Sequence, residues 1–172
     1  MPSLFYPAVA LVLKHEGGLE DNLNDDNGIT NFGISLIFYK ALKPDATALD
    51  IKNMTIEKAR QIYEDCFWSP NKYAEINYQR LANRMLDLSV NMGAKKANSL
   101  LQQAINSINA KTLAVDGVIG EHTISCTNAQ NPQKLYAALI DMAELEYKEI
   151  AQFSDNAQWL QGWLTRLHDT DC

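Results

Sequence analysis

Glu16 and Asp25 are the two residues of this 172-residue sequence whose types and settings best suit a shared reaction. Breaking a glycosidic bond takes one carboxylic acid to protonate the leaving oxygen, and usually a second carboxylate to activate water or stabilise the sugar cation. Glu16 closes an apolar run, Ala8 to Leu13, just before the pair Gly17-Gly18, whereas Asp25 falls in a polar segment rich in asparagine and glycine. An apolar setting for one carboxyl group and a polar setting for the other is what separates an acid from a base. Thr30, further along the same segment, is suited to hold the water. Taken singly, a glutamate at a helix end is an ordinary surface residue, and aspartate in a turn serves the backbone. Only the joint pattern raises them.

Other side chains invite plainer readings. His15, His122 and His168 are too dispersed to predict a metal site, and neither metal nor organic cofactor is required by the two-carboxylate chemistry. No G-x-S-x-G elbow frames a serine nucleophile. Trp68, Trp159 and Trp163 sit at helical positions, where tryptophan is more often core than sugar platform, although any that lines a groove can stack on a sugar face. Asn91, near the end of an apolar helix, has an amide able to hydrogen-bond an acetamido group.

The elements that must position these residues are mostly helices. Pro7 opens a short buried helix that ends at Gly17-Gly18 and puts Glu16 at its C-terminal end. Between Gly17 and Gly33, four asparagines and three aspartates spell turn chemistry. Asn27-Gly28 is the strongest hairpin signal, so a small antiparallel hairpin there is the expected strand content. Thr55 caps a helix over Ile56 to Phe67, stopped by Trp68-Ser69-Pro70. Tyr78 to Met92 reads as the central helix, with Leu81, Met85, Leu88 and Met92 on one stripe, ended by Gly93. Further helices are expected over Ala97 to Ile108, from Glu121 after the tight turn Val115 to Gly120, over Pro132 to Phe153, and over Asn156 to His168. The pattern is mainly α, and Gly93 is the best boundary between a catalytic half (1–93) and a second helical half (94–172), packed as one compact unit.

Composition narrows the partners. With 47% hydrophobic and 21% charged residues the chain is an ordinary folded globule. A net charge of -6, from 15 Lys plus Arg against 21 Asp plus Glu, provides no basic field for nucleic acid. Cys66, Cys126 and Cys172 are too few and scattered for a disulfide framework and read as free thiols. No basic region precedes the apolar stretch Leu4 to Leu13, which Pro7 interrupts, so it does not read as a signal peptide. No run approaches the roughly 20 apolar residues of a membrane helix.

Two runs then point to a family. H-E-G-G at His15 to Gly18, followed by D-x-N-G-x-T-N-F-G-I-S from Asp25 to Ser35, resembles glycoside hydrolase family 108, cell-wall muramidases found among phage endolysins and bacterial lysis proteins. T-x-E-x-A-x-x-I-Y from Thr55, Phe67-Trp68, Asp87 and Asn91-Met92-Gly93 suit the same family. Val115-Asp116-Gly117-x-Ile119-Gly120-x-x-Thr123 resembles its peptidoglycan-binding half, and Gly162-Trp163-Leu164-x-Arg166 its C-terminal signature. The sequence departs from the family at Leu19, where an aromatic often follows E-G-G, and at Asp26-Asn27-Gly28, which replaces a Pro-Gly-Gly turn.

The resemblance implies a lysozyme-like helical fold with a small hairpin near the N-terminus. It implies Glu16 as catalytic acid, with Asp25 and Thr30 beside it, and Asn31, Asp87 and Asn91 as substrate-binding candidates. The expected activity is hydrolysis of the β-1,4 bond between N-acetylmuramic acid and N-acetylglucosamine in bacterial peptidoglycan, by a monomer without a cofactor. The protein would be made in the cytoplasm and act on the periplasmic wall after release through the inner membrane. If Asp25 activates water, the two carboxyl groups should stand roughly 6.5 to 9.5 Å apart and the product should be inverted. A lytic transglycosylase and a non-catalytic wall-binding or secretion-activating module are the rival readings.

Overall fold

The computed structural model describes residues 3–20, 28–109, 113–152 and 155–169. Within them the chain runs α1 (Phe5–Glu16), β1 (Thr30–Asn31), β2 (Ile34–Ser35), α2 (Leu36–Leu42), α3 (Ala48–Lys52), α4 (Ile56–Tyr63), α5 (Gln79–Met92), α6 (Ala94–Ile108), α7 (Glu121–Ala129), α8 (Pro132–Gln152) and α9 (Leu160–Leu167). The fold is mainly α with one antiparallel two-stranded sheet, as the sequence pattern predicts.

Helix α5 is the axis of the molecule. The sequence predicts a single apolar stripe, but every residue from Leu81 to Ser89 is buried, including the polar Asn83, Arg84, Asp87 and Ser89. A helix buried all round must satisfy its polar side chains internally, and two of those of α5, Arg84 and Asp87, become struts of the site described below. Helix α1 packs along α5 through Ala8, Val9, Leu11 and Val12. On another side α6 packs between α5 and α8. Helix α8 answers with Leu135, Leu139, Ala143 and Tyr147, a buried i, i+4 row.

Several boundaries differ from expectation for identifiable reasons. Helix α1 begins at Phe5, so Pro7 is its third residue; the first four N–H groups of a helix lack intrahelical partners, and a proline there costs no hydrogen bond. Helix α4 is capped by Thr55, whose hydroxyl accepts from the Lys58 N–H at 3.2 Å, but it passes into a π-helical turn over Glu64–Trp68 rather than running on as α-helix. The Ser69 N–H donates to the Glu64 carbonyl at 2.9 Å, the wider i→i+5 spacing. The C-terminal helix is split into a 3₁₀ turn, Asp155–Trp159, and α9.

The hairpin also turns elsewhere. Thr30 pairs with Ser35 and Asn31 with Ile34, so the two-residue loop is Phe32-Gly33, with φ of 51° and 74°. Two positive φ values make this the primed turn that matches strand twist. Asn27, half of the expected turn, lies outside the described residues. A single antiparallel bridge between Glu20 and Thr30 brings the chain back on itself across that segment.

Beyond α6, the loop from Val115 to Ile119 is built on buried amides. The Gln102 carbonyl oxygen accepts from the N–H groups of Asp116 and Gly117, and its amide donates to Asp116 Oδ1 and the Val118 carbonyl. Asn98 donates to the Gly117 carbonyl at 3.0 Å and accepts from Tyr73 Oη at 2.6 Å. This V-D-G-V loop is therefore anchored from beneath. Among the described residues no helix is long and apolar enough to cross a membrane.

Candidate active site

Glu16 is the last residue of α1, and Gly17, at φ 71°, turns the chain away immediately after it. The carboxyl group faces the primed turn of the hairpin. A Cβ placed on Gly33 would lie 2.6 Å from Glu16 Cγ, 2.7 Å from Glu16 Oε2 and 2.6 Å from Tyr63 Oη. Glycine is therefore required there for room as well as for its positive φ. Tyr63 Oη donates to the Phe32 carbonyl at 2.8 Å, tying α4 to the turn. Burial and the nearby Glu16 charge push the Tyr63 hydroxyl far above its ordinary value, so it remains a donor.

We expect Gly33→Ala to displace the Glu16 side chain while costing about 1–3 kcal/mol of stability through overpacking and backbone strain. Turnover should fall about 10²-fold, because small misplacements of a reacting group are costly. Wild-type kcat in the purified variant would show that this contact does not position the acid.

Opposite the turn, Arg166 of α9 reaches Glu16, with Nη1 donating to Oε1 at 2.7 Å. The same guanidinium holds Asp87 of α5: Nε donates to Oδ1 at 3.0 Å, and Nη2 lies 2.8 Å from that oxygen. The other Asp87 oxygen accepts from Arg84 Nη1 at 3.0 Å, and His15 Nδ1 lies 2.9 Å from Oδ1. His15 Nε2 in turn meets Asp169 Oδ2 at 3.0 Å. Burial alone would favour a neutral Asp87, but His15, Arg166 and Arg84 outweigh it and hold the carboxyl below its ordinary value. Arg84 is fully buried and also donates to the carbonyls of Arg166 and Asp169, at 3.0 Å each. A cation at the C-terminal end of α9 suits the helix dipole, so Arg84 holds α9 against α5.

These groups back an open cavity of about 910 Å³, toward the upper end of the roughly 300–1,000 Å³ usual for small-molecule clefts. It is lined by Glu16, Glu20 and Asn91 together with Trp159, Trp163 and Arg166. Trp163 stacks on Tyr147 at 5.4 Å, and Tyr147 Oη donates to Asn91 Oδ1 at 2.8 Å. That leaves the Asn91 amide N–H₂ as the group with donors to offer a ligand.

Residues 9–93 match the family model described as Glycosyl hydrolase 108, and residues 96–168 match the model described as Predicted Peptidoglycan domain. The chain belongs to the glycosyl hydrolase 108 family. The two matches together are those of a peptidoglycan hydrolase. Among solved structures, SagA of Brucella abortus shares the fold, with a TM-score of 0.80 and 23% identity over 97% of this chain and 91% of that one. The fold is lysozyme-like and mainly α. No curated protein sequence matches the chain.

In this family member the residues singled out in the sequence fall into three groups. Glu16 and Asn91 line the cavity. Asp25 lies outside the described residues, as does Cys172. Thr30 is at the sheet, its backbone bridged to Glu20 by two hydrogen bonds of 2.9 Å. Asn31 and Asp87, expected to bind substrate, point inward instead. Asn31 donates to the Ile51 carbonyl at 3.0 Å and so braces the hairpin on α3, while Asp87 is 1% exposed and spent on His15, Arg84 and Arg166. Both are polar residues captured by the core, where an unpaired donor or charge would be costly.

Trp68 is core, as expected, but Trp159 is 58% exposed at the cavity edge. Among the described residues no group of three or more His, Cys, Asp or Glu is arranged to hold a metal ion. Sequence reasoning missed His15, Gly33, Tyr63 and Arg166. All four stand inside the quoted motifs, and that is the available signal.

Proposed function

We propose that this protein is an N-acetylmuramidase that hydrolyses the β-1,4 bond between N-acetylmuramic acid and N-acetylglucosamine, with Glu16 as general acid. The observation that carries the reading is the Glu16 carboxyl group: it is fixed between Gly33 and Arg166 on the wall of a cavity large enough for a glycan. A carboxyl group so held can meet a glycosidic oxygen without first having to order itself. Asp25 is the base or stabiliser in this reading, Thr30 positions its water, and Asn91 offers its amide to an acetamido group. The protein acts as a monomer on wall that lies beyond the inner membrane.

Incubation with purified peptidoglycan, followed by mass analysis, tests the bond. Reducing N-acetylmuramic acid ends are expected. Anhydro-muramic ends would make the protein a transglycosylase instead, and no cleavage at all would leave a binding module. Asp25→Ala should lose most activity and Thr30→Ala part of it. NMR of the first-formed anomer is expected to show inversion, and a retained β product would rule out Asp25 as the base that activates water.

A further inference from the structure

We propose that Arg166 is a positioning residue for Glu16 and decides which of its two oxygens carries the transferable proton; the inference rests on the hydrolase reading above. A guanidinium has donors only, so the oxygen it faces must remain an acceptor. Arg166 Nη1 faces Oε1 at 2.7 Å. In the protonated acid the better acceptor is the carbonyl oxygen, so Oε1 takes the carbonyl role and the proton sits on Oε2, the oxygen that packs against Gly33.

The guanidinium cannot drift, because Asp87 holds its Nε and Nη2 while Arg84 and His15 hold Asp87. Its side chain is 13% exposed, so little water competes for these contacts. Donors fixed before the reaction need no reorganisation during it. Arg166 belongs to the stretch that matches the peptidoglycan domain, whereas Glu16 belongs to the hydrolase stretch. The second half thus supplies part of the machinery of the first.

The test uses full-length Arg166→Gln and Arg166→Lys, assayed for reducing ends released from purified peptidoglycan, with kcat and KM separated and the folded fraction read by circular dichroism. Arg166→Gln is expected to lose about 10²-fold in kcat with KM unchanged, and added methylguanidinium to restore part of it. Lysine keeps the charge but cannot span both carboxylates, so Arg166→Lys should recover only partly. Wild-type kcat in either variant would overturn the proposal. So would a rise in KM alone, or a loss that follows the unfolded fraction and ignores methylguanidinium. Should the glutamine variant fail to fold, Arg166→Lys carries the same test. A wild-type protein that releases nothing overturns the hydrolase reading and this inference with it; an active wild type with indifferent Arg166 variants overturns this inference alone.

Discussion

Glutamine at position 16 should leave a folded protein that no longer cuts glycan. The Glu16→Gln side chain keeps its shape. Its carbonyl can still accept from Arg166 Nη1 where Oε1 does now, at 2.7 Å, and its amide nitrogen fits where Oε2 meets Gly33. Fold and melting temperature should therefore stay near wild type. What is lost is a transferable proton, and general acid catalysis is worth roughly 10² to 10⁴-fold in rate. Release of reducing ends and circular dichroism on the same sample separate the two effects. Near-normal turnover in a well-folded variant would remove Glu16 from the role of acid.

The largest loss of stability is expected at Asp87. Its carboxylate meets His15, Arg84 and Arg166 at once. Asp87→Ala would remove the carboxylate that two buried guanidinium groups share, leaving Arg84 with carbonyl acceptors and Arg166 with Glu16, and breaking a buried ion pair in this way costs about 3–5 kcal/mol. Urea unfolding should report it, and a loss below about 1 kcal/mol would show that water or rearrangement replaces the carboxylate.

The pH dependence has a definite sign. The Asp87 carboxyl is held below its ordinary value in the folded protein, so its contribution is fully present above the ordinary carboxylate range and is lost as pH falls below it. In Asp87→Asn, unfolding free energy should change less between neutral and strongly acid pH than in wild type.

Much of the fold could be read from local pattern, because patterning and capping are local physics. Thr55 does cap α4, Gly93 does end α5, and the polar segment from Gly17 to Gly33 does hold the first strand of the hairpin, with the second directly after it. The misreadings came from contacts far apart in sequence. Asp87 looks like a polar residue available to substrate until α1 and α9 close over it from 72 and 79 positions away. Asn27-Gly28 is the hairpin signal in the sequence because asparagine and glycine favour positive φ. The turn between the strands uses Phe32, held at φ 51° in a conformation a bulky residue rarely adopts. Tyr63, which donates to its carbonyl, is 31 positions away. Arg166 lies 150 residues from Glu16, beyond any spacing rule.

That separation bears on the order in which the molecule comes apart. Helix α9 has one fully buried residue, Leu167, with Leu160 and Trp163 half-buried against the core, and much of its hold is polar: Arg166 to Glu16 and Asp87, Arg84 to the carbonyls of Arg166 and Asp169, Lys14 and His15 to Asp169. Elements with few buried apolar contacts open with less free energy than the core does. The α9 side of the cleft can therefore detach while α5, α6 and α8 stay packed. Hydrogen exchange along α9 would run ahead of exchange along α5. Under denaturant or acid, the enzyme would fall silent before it unfolds.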